Sequence, residues 1–235
     1  MLTIFGTTAL ESLTKHFTSL LTCLLLIFSF FPSSHSLAQE VNGGGTSAPA
    51  RAPSGPEPPK LAGKMAKNTC AVTITGQDGK SRSIAAGDTS SQIMTDDTIH
   101  TDGPAGCALV IKLEDGTSLN LQANSTLKID KFVYKGPKDL GDITIDMLTG
   151  VTHWATGDAP KGSYIINTPT ATIGIRGTQF KVQTGTDVKP EVITVTEGSI
   201  FVTSRATARL SIVKAGQRIQ ISSQGDVSKP KPFTN

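Results

Sequence analysis

The chain has 235 residues, of which 17% are charged and 5% aromatic, and it carries a formal net charge of +3. So small a surplus of cations, scattered singly among acids, argues against a nucleic-acid module, which needs a basic stripe with aromatic platforms. The length suits one domain with extensions.

Residues 1–38 read as a secretory signal peptide. Lys15 and His16 precede the 15-residue apolar run FTSLLTCLLLIFSFF, and Ser36 and Ala38 are the small residues of a cleavage site. The run is shorter than the roughly 20 residues a bilayer span needs, so no membrane span is expected after cleavage and the protein is expected in the periplasm or secreted. An uncleaved anchor is the alternative. Residues 39–63, rich in Pro, Gly, Ala and Ser, read as a disordered linker that buries too little apolar surface to offset ordering. A β domain is expected over 64–225 and a disordered tail over 226–235. The densest basic patch, Lys60, Lys64 and Lys67, lies beside the linker. Cys70 and Cys107 form an even pair in an exported chain, which makes them a candidate disulfide; two separately buried thiols are the alternative.

No window of the domain sustains a helical period. Short Val/Ile/Thr-rich segments recur between turn signals: AVTIT, ALVIKL, SLNLQ, TLKID, DITIDML, SYIIN, VITVT, SIFVTS and RLSIV. The domain is therefore expected to be all-β. In LVIKLEDGTSLNL, a three-residue loop of Glu114, Asp115 and Gly116 sets Ile111 opposite Leu119 and Leu109 opposite Leu121, which keeps one apolar face. In VITVTEGSIFV, a two-residue Glu197-Gly198 hairpin would pair Val195 with Ile200 and Ile193 with Val202. ITIDMLTGV echoes VITVTEGSI, and IAAGD echoes VKAGQ, which suggests stacked hairpins or turns of a β-roll.

The segment TATIGIRGTQFKV changes phase. Ala171, Ile173 and Ile175 alternate on odd positions, whereas Phe180 and Val182 fall on even ones. A β-bulge at Gly177 would insert the extra residue. Arg176 beside it would then satisfy carbonyls the broken ladder had freed, or else await an anion.

TPTATIGIRGTQF resembles the signature of the FecR domain, in Thr168, Pro169, Thr170 and Ala171, then Ile175, Arg176, Gly177 and Thr178, then Phe180. AAGD, the Asp-Gly hairpin, VTEGSIFV and VKAGQ resemble further motifs of that domain in the same order, over about residues 80–222. The resemblance implies one extracytoplasmic β-roll or jelly-roll-like, β-helical module. The regulator that names the family also carries a cytoplasmic segment and a signalling subdomain, and neither pattern is found around the module here, so control of a sigma factor is not expected.

Chemistry is sparse. The domain holds two histidines, His153 in VTHWAT and His100 in TDDTIHTDG. His100 with Asp96, Asp97 and Asp102 fits neither a calcium loop nor a zinc motif. Neither catalytic residues, nor a metal, nor a cofactor are expected. The expectation is a binding or scaffolding module for a protein partner or an envelope polysaccharide, with Arg176, Trp154 and Tyr164 as its candidate surface. The alternatives are a remnant of FecR-type signalling acting through another membrane protein and, less favoured, an envelope hydrolase.

Overall fold

The computed structural model describes residues 57–233. The strands, in chain order, are β1 (Leu61–Asn68), β2 (Ala71–Thr75), β3 (Ser81–Ile84), β4 (Gln92–Met94), β5 (Thr98–Asp102) and β6 (Ala108–Leu113). Then come β7 (Ser118–Gln122), β8 (Thr126–Val133), β9 (Asp142–Thr149), β10 (Val151–Ala155), β11 (Tyr164–Asn167) and β12 (Ala171–Ile175). The last six are β13 (Gln179–Gln183), β14 (Glu191–Glu197), β15 (Ser199–Ser204), β16 (Leu210–Lys214), β17 (Gln217–Ile221) and β18 (Lys231–Pro232). Their β-branched residues alternate between a buried and an open face, the pattern of a sheet covered on one side.

Sheet I runs β18-β17-β14-β13-β10-β7-β6-β1-β4, and sheet II runs β16-β15-β12-β11-β9-β8-β5-β2-β3. Apolar side chains from both make one core. The chain steps back and forth between the sheets, and from β7 onward each strand lands beside the last one laid down in its sheet. Neighbours are antiparallel except for the parallel pair β9–β11. The nearly sequential order is that of a roll, not of a Greek-key jelly roll.

The Asp-Gly hairpin has the expected register, with Ile111 opposite Leu119 and Leu109 opposite Leu121, and Gly116 in the left-handed region. The Glu197-Gly198 turn is not a hairpin. β14 pairs with β13 and β17 in sheet I, whereas β15 pairs with β12 and β16 in sheet II. Gly198 is a corner at which the chain changes sheets. Both strands point their alternate apolar residues into the same core, so the pattern suits a corner as well as a hairpin. The phase shift at Gly177 has the same cause. β12 ends in sheet II and β13 begins in sheet I, and Arg176–Thr178 form the corner between them. Gly177 takes a left-handed φ of 65° there, but it is not the extra residue of a bulge. The irregularity nearby lies between β13 and β14, at Gln179/Phe180.

The ends of the domain also differ from expectation. β1 starts at Leu61, inside the stretch expected to be linker. Ala62 is fully buried, and Glu114 N donates to its carbonyl at 3.0 Å. A Cβ on Gly63 would press on Lys112 O and lie 2.9 Å from Leu113 Cα, so these small residues serve close packing against β6. At the other end Val227 is buried and bridges Ile221, and Lys231–Pro232 pair with β17, so the expected disordered tail is ordered as far as Phe233. The signal peptide and most of the expected linker lie outside the described residues.

Candidate binding surfaces

The two histidines lie on the outer faces of opposite sheets. His100 Nδ1, on β5, is 2.9 Å from Thr126 Oγ1. His153 Nε2, on β10, is 3.2 Å from Gln122 Nε2, and burial, with Lys181 behind it, holds that imidazole below its usual pKa. The aspartates near His100 are otherwise engaged: Asp97 is buried with Arg82 at 2.8 Å, and Asp96 meets Lys128 at 3.1 Å. Among the described residues no three His, Cys, Asp or Glu side chains gather as metal ligands would.

Of the three expected surface residues, two are core. Trp154 is 2% exposed and stacks on Phe180, with ring centroids 5.6 Å apart. Tyr164 is 4% exposed and donates to Asp115 Oδ2 at 2.6 Å. Burial, and then the neighbouring Asp115, raise its phenol far above the usual range. Alternation places both inside: His153 faces out, so Trp154 faces in, and Tyr164 shares its parity with buried Ile166. Arg176 is exposed. It ties up no carbonyl among the described residues; its guanidinium lies over the Phe201 ring, 5.9 Å from the centroid. The arginine that does hold the signature loop is Arg205, whose backbone N donates to Thr170 O at 2.9 Å and whose Nη1 donates to Thr168 O at 3.0 Å.

The rest of the signature is structural. Thr168 Oγ1 accepts from Ala171 N at 2.9 Å and meets Glu191 Oε1 at 2.8 Å. Pro169 and Thr170 turn the chain from β11 into β12, while Ala171, Ile175 and Phe180 fill the core. Thr178 N donates to Thr156 Oγ1 at 2.8 Å across the corner. Glu191 is the residue that sequence reading missed. It is fully buried, its Oε2 has no partner, and burial pushes its carboxyl up to about 7 against the opposing hydrogen bond of Thr168. The signal was present, because Glu191 has the inward parity of Ile193 and Val195. Cys70 and Cys107 are bonded, with Cα atoms 5.2 Å apart, where β1 turns into β2 and the chain enters β6.

What remains for recognition is the two outer faces. On sheet II, Ile212, Phe201, Gly174 and Ile165 stand side by side across β16, β15, β12 and β11. Ile212, Ile165 and nearby Leu210 are 50%, 44% and 59% exposed. Gly174 leaves the floor of this row flat, and Arg176 covers Phe201 at its margin. On sheet I the face is polar. It holds a groove of about 420 Å3 lined by Asn120, His153, Gln179, Lys181, Thr194 and Phe233, among others.

Residues 97–201 match the family model described as FecR protein. Over these residues the chain is similar to the FecR domain. The match begins at the buried partner of Arg82 and ends at Phe201 of the apolar row, while the fold continues on both sides of it. No curated protein matches the chain. Two solved structures, each described as a "putative anti-sigma factor" from Parabacteroides distasonis, are similar to it. One is 17% identical with a TM-score of 0.47, covering 57% of this chain and 59% of that one. The other is 16% identical with a TM-score of 0.45, covering 56% and 58%. The chain thus spans under two thirds of the length of either, and a likeness this slight says nothing about shared activity.

Proposed function

We propose that this FecR-like chain is a non-catalytic, exported module of the cell envelope that binds a protein partner through sheet II. One observation carries the reading: the signature strand β12 supplies Gly174 to a solvent-facing apolar row, Ile165–Gly174–Phe201–Ile212, with Arg176 at its margin. Isolated surface aliphatics are ordinary, but a contiguous row beside an edge strand is a contact surface. β16 is that edge; Lys214 N is taken by Gln217 Oε1 at 3.0 Å, but the outer backbone of Leu210–Val213 can receive a strand from a partner. The histidines, fixed on opposite outer faces, favour binding over hydrolysis.

The test is site-specific photocrosslinking in intact cells. A crosslinker at Ile165 or Ile212 is expected to capture a discrete partner, and one at Gln183 on sheet I is not. Leu210→Glu with Phe201→Ala should abolish the adduct while the thermal melt stays close to wild type. An adduct that survives these changes refutes the reading. Export has its own check: protein from the envelope fraction should begin at Gln39 by mass analysis, and an intact Met1 refutes cleavage.

A further inference from the structure

The outer face of sheet I carries a second feature, independent of the apolar row. Register places Lys67, Val110, Asn120, His153, Lys181, Thr194, Arg218 and Lys231 side by side in a single file across eight strands. Neighbouring strands lie about 4.8 Å apart, so the file is roughly 34 Å long and runs across the strands. Lys64 and Lys112 flank it one register away. Along the outward positions of these strands the one acid is Glu197, at the corner, where Gln179 Nε2 donates to it at 2.7 Å.

The distribution of acidic residues sets this face apart. Lys60, Lys80, Arg82, Lys128 and Lys131 all have carboxylate partners. None of these pairs involves Lys64, Lys67, Lys112, Lys181, Arg218 or Lys231. The outward positions of sheet II carry Asp102, Asp130, Asp142 and Asp146 among their cations, although Lys214 on β16 has no carboxylate partner among the described residues, whereas those of sheet I carry Glu197 alone. A net charge of +3 hides this segregation, which only the fold reveals.

The groove sits on the middle of the file, with Asn120, His153, Lys181 and Thr194 in its lining. Asn120 Oδ1 is buried there without a hydrogen-bond partner. Around it the face offers Ser118, Gln122, Gln179, Gln183, Thr196 and Gln220, the hydroxyls and amides that meet sugar hydroxyls.

We propose that the outer face of sheet I binds a linear acidic polysaccharide, lying along the Lys67–Lys231 file with an anionic group seated between His153 and Lys181. Length and single-file order fit an extended chain with a repeated negative charge, and electrostatic complementarity selects its sign. Nucleic acid fits less well, because Trp154 and Phe180 in the groove lining are buried in the core, which leaves Phe233 as its accessible aromatic, and bases need stacking platforms. A lipid surface fits less well too, because Leu61, at the start of β1 and away from Lys67, is the one large exposed aliphatic among the described strands of this sheet.

Binding of the full-length protein to polygalacturonate tests this, with neutral dextran, an oligothymidylate and anionic phospholipid vesicles measured alongside. Polygalacturonate is expected to bind, dextran not, and raised salt to weaken the complex, since exposed charges are screened over about 8 Å at physiological ionic strength. Lys181→Glu with Arg218→Glu should reduce affinity by roughly tenfold or more. Lys214→Glu with Lys161→Glu makes the same change in net charge away from the file and should alter affinity less than about threefold. Equal loss in both doubles, equal binding of dextran, tighter binding of the oligonucleotide or the vesicles, or no binding of polygalacturonate overturns the proposal. Thermal melts of the doubles separate lost binding from lost fold, and Lys181→Gln with Arg218→Gln replaces any double that does not fold.

Discussion

The two edges of the roll, where the chain passes between sheets, are fastened by different means. At the edge that carries the Asp-Gly hairpin, successive corners stack mainly backbone on backbone. Asp158 N donates to Asp115 O, Ala215 N to Gly198 O, Gly216 N to Val195 O and Phe233 N to Gly216 O. Glycine lets these corners approach. At the opposite edge, side chains do the fastening. Cys70 is bonded to Cys107, Thr101 Oγ1 donates to Gln122 O at 2.6 Å, Val151 N donates to Ser125 Oγ at 3.0 Å, and Thr168 holds Glu191. The contrast teaches that one architectural problem, closing each rung of a roll, has a steric solution and a chemical one. The first is sensitive to added volume and the second to redox state and pH.

The largest expected effect is on the glycine edge. A Cβ on Gly198 would fall inside contact distance of Gly177 O and 2.7 Å from Thr178 Cγ2, at a φ of 73°. Gly198→Val should therefore combine backbone strain with overpacking and cost about 4 kcal/mol in chemical denaturation. On the opposite edge, the Cys70–Cys107 bond closes a separation of 37 residues. Its reduction, or Cys70→Ser with Cys107→Ser, should lower stability by up to about 4 kcal/mol in the chain-entropy model. Two titratable thiols in the unfolded, unreduced protein would remove this tie altogether.

Glu191 makes the side-chain edge pH-sensitive. Its carboxyl titrates near 7 when folded, against a usual value of 4.5, so the folded state holds a proton that the unfolded state has released. The associated stability is complete below about pH 4.5, falls as pH rises towards 7, and is lost above it, a span of the order of 3 kcal/mol. Glu191→Gln should flatten this part of the stability–pH curve and leave the protein more stable than wild type at pH 8. An unchanged slope between pH 5 and 7 contradicts the assignment.

The smallest effects belong to the signature corner. Gly177 shares the left-handed φ, but its Cβ would meet only Lys161 Cε, at 3.9 Å. Gly177→Val should cost about 1–2 kcal/mol, well below Gly198→Val. Arg176→Ala loses an exposed cation–π contact and should cost under about 1 kcal/mol, because its guanidinium holds no carbonyl among the described residues.

These contrasts show what a linear reading reaches. The strands and the Asp-Gly register were legible, since period-two burial and a left-handed glycine suffice when both partners lie in one sheet. The corner glycines were misread as a hairpin and a bulge because alternation reports which face is inward, not which sheet a strand joins. Trp154, Tyr164 and Glu191 were within reach of parity, yet aromatic character suggested a surface for the first two, and the VITVT segment was bounded one residue past Glu191. The Lys67–Lys231 file was beyond reach, since its members come from separate strands and align only through pairing.

The nearly sequential strand order has a consequence for how such a chain comes into being. Delivered amino end first, from a ribosome or an export channel, each new strand finds its neighbour already in place. The longest interval is that of β1 awaiting β6, so Cys70 and Cys107 meet soon after Leu113 emerges. From there the roll grows by accretion, with few distant pairings to search for and little unpaired edge left waiting.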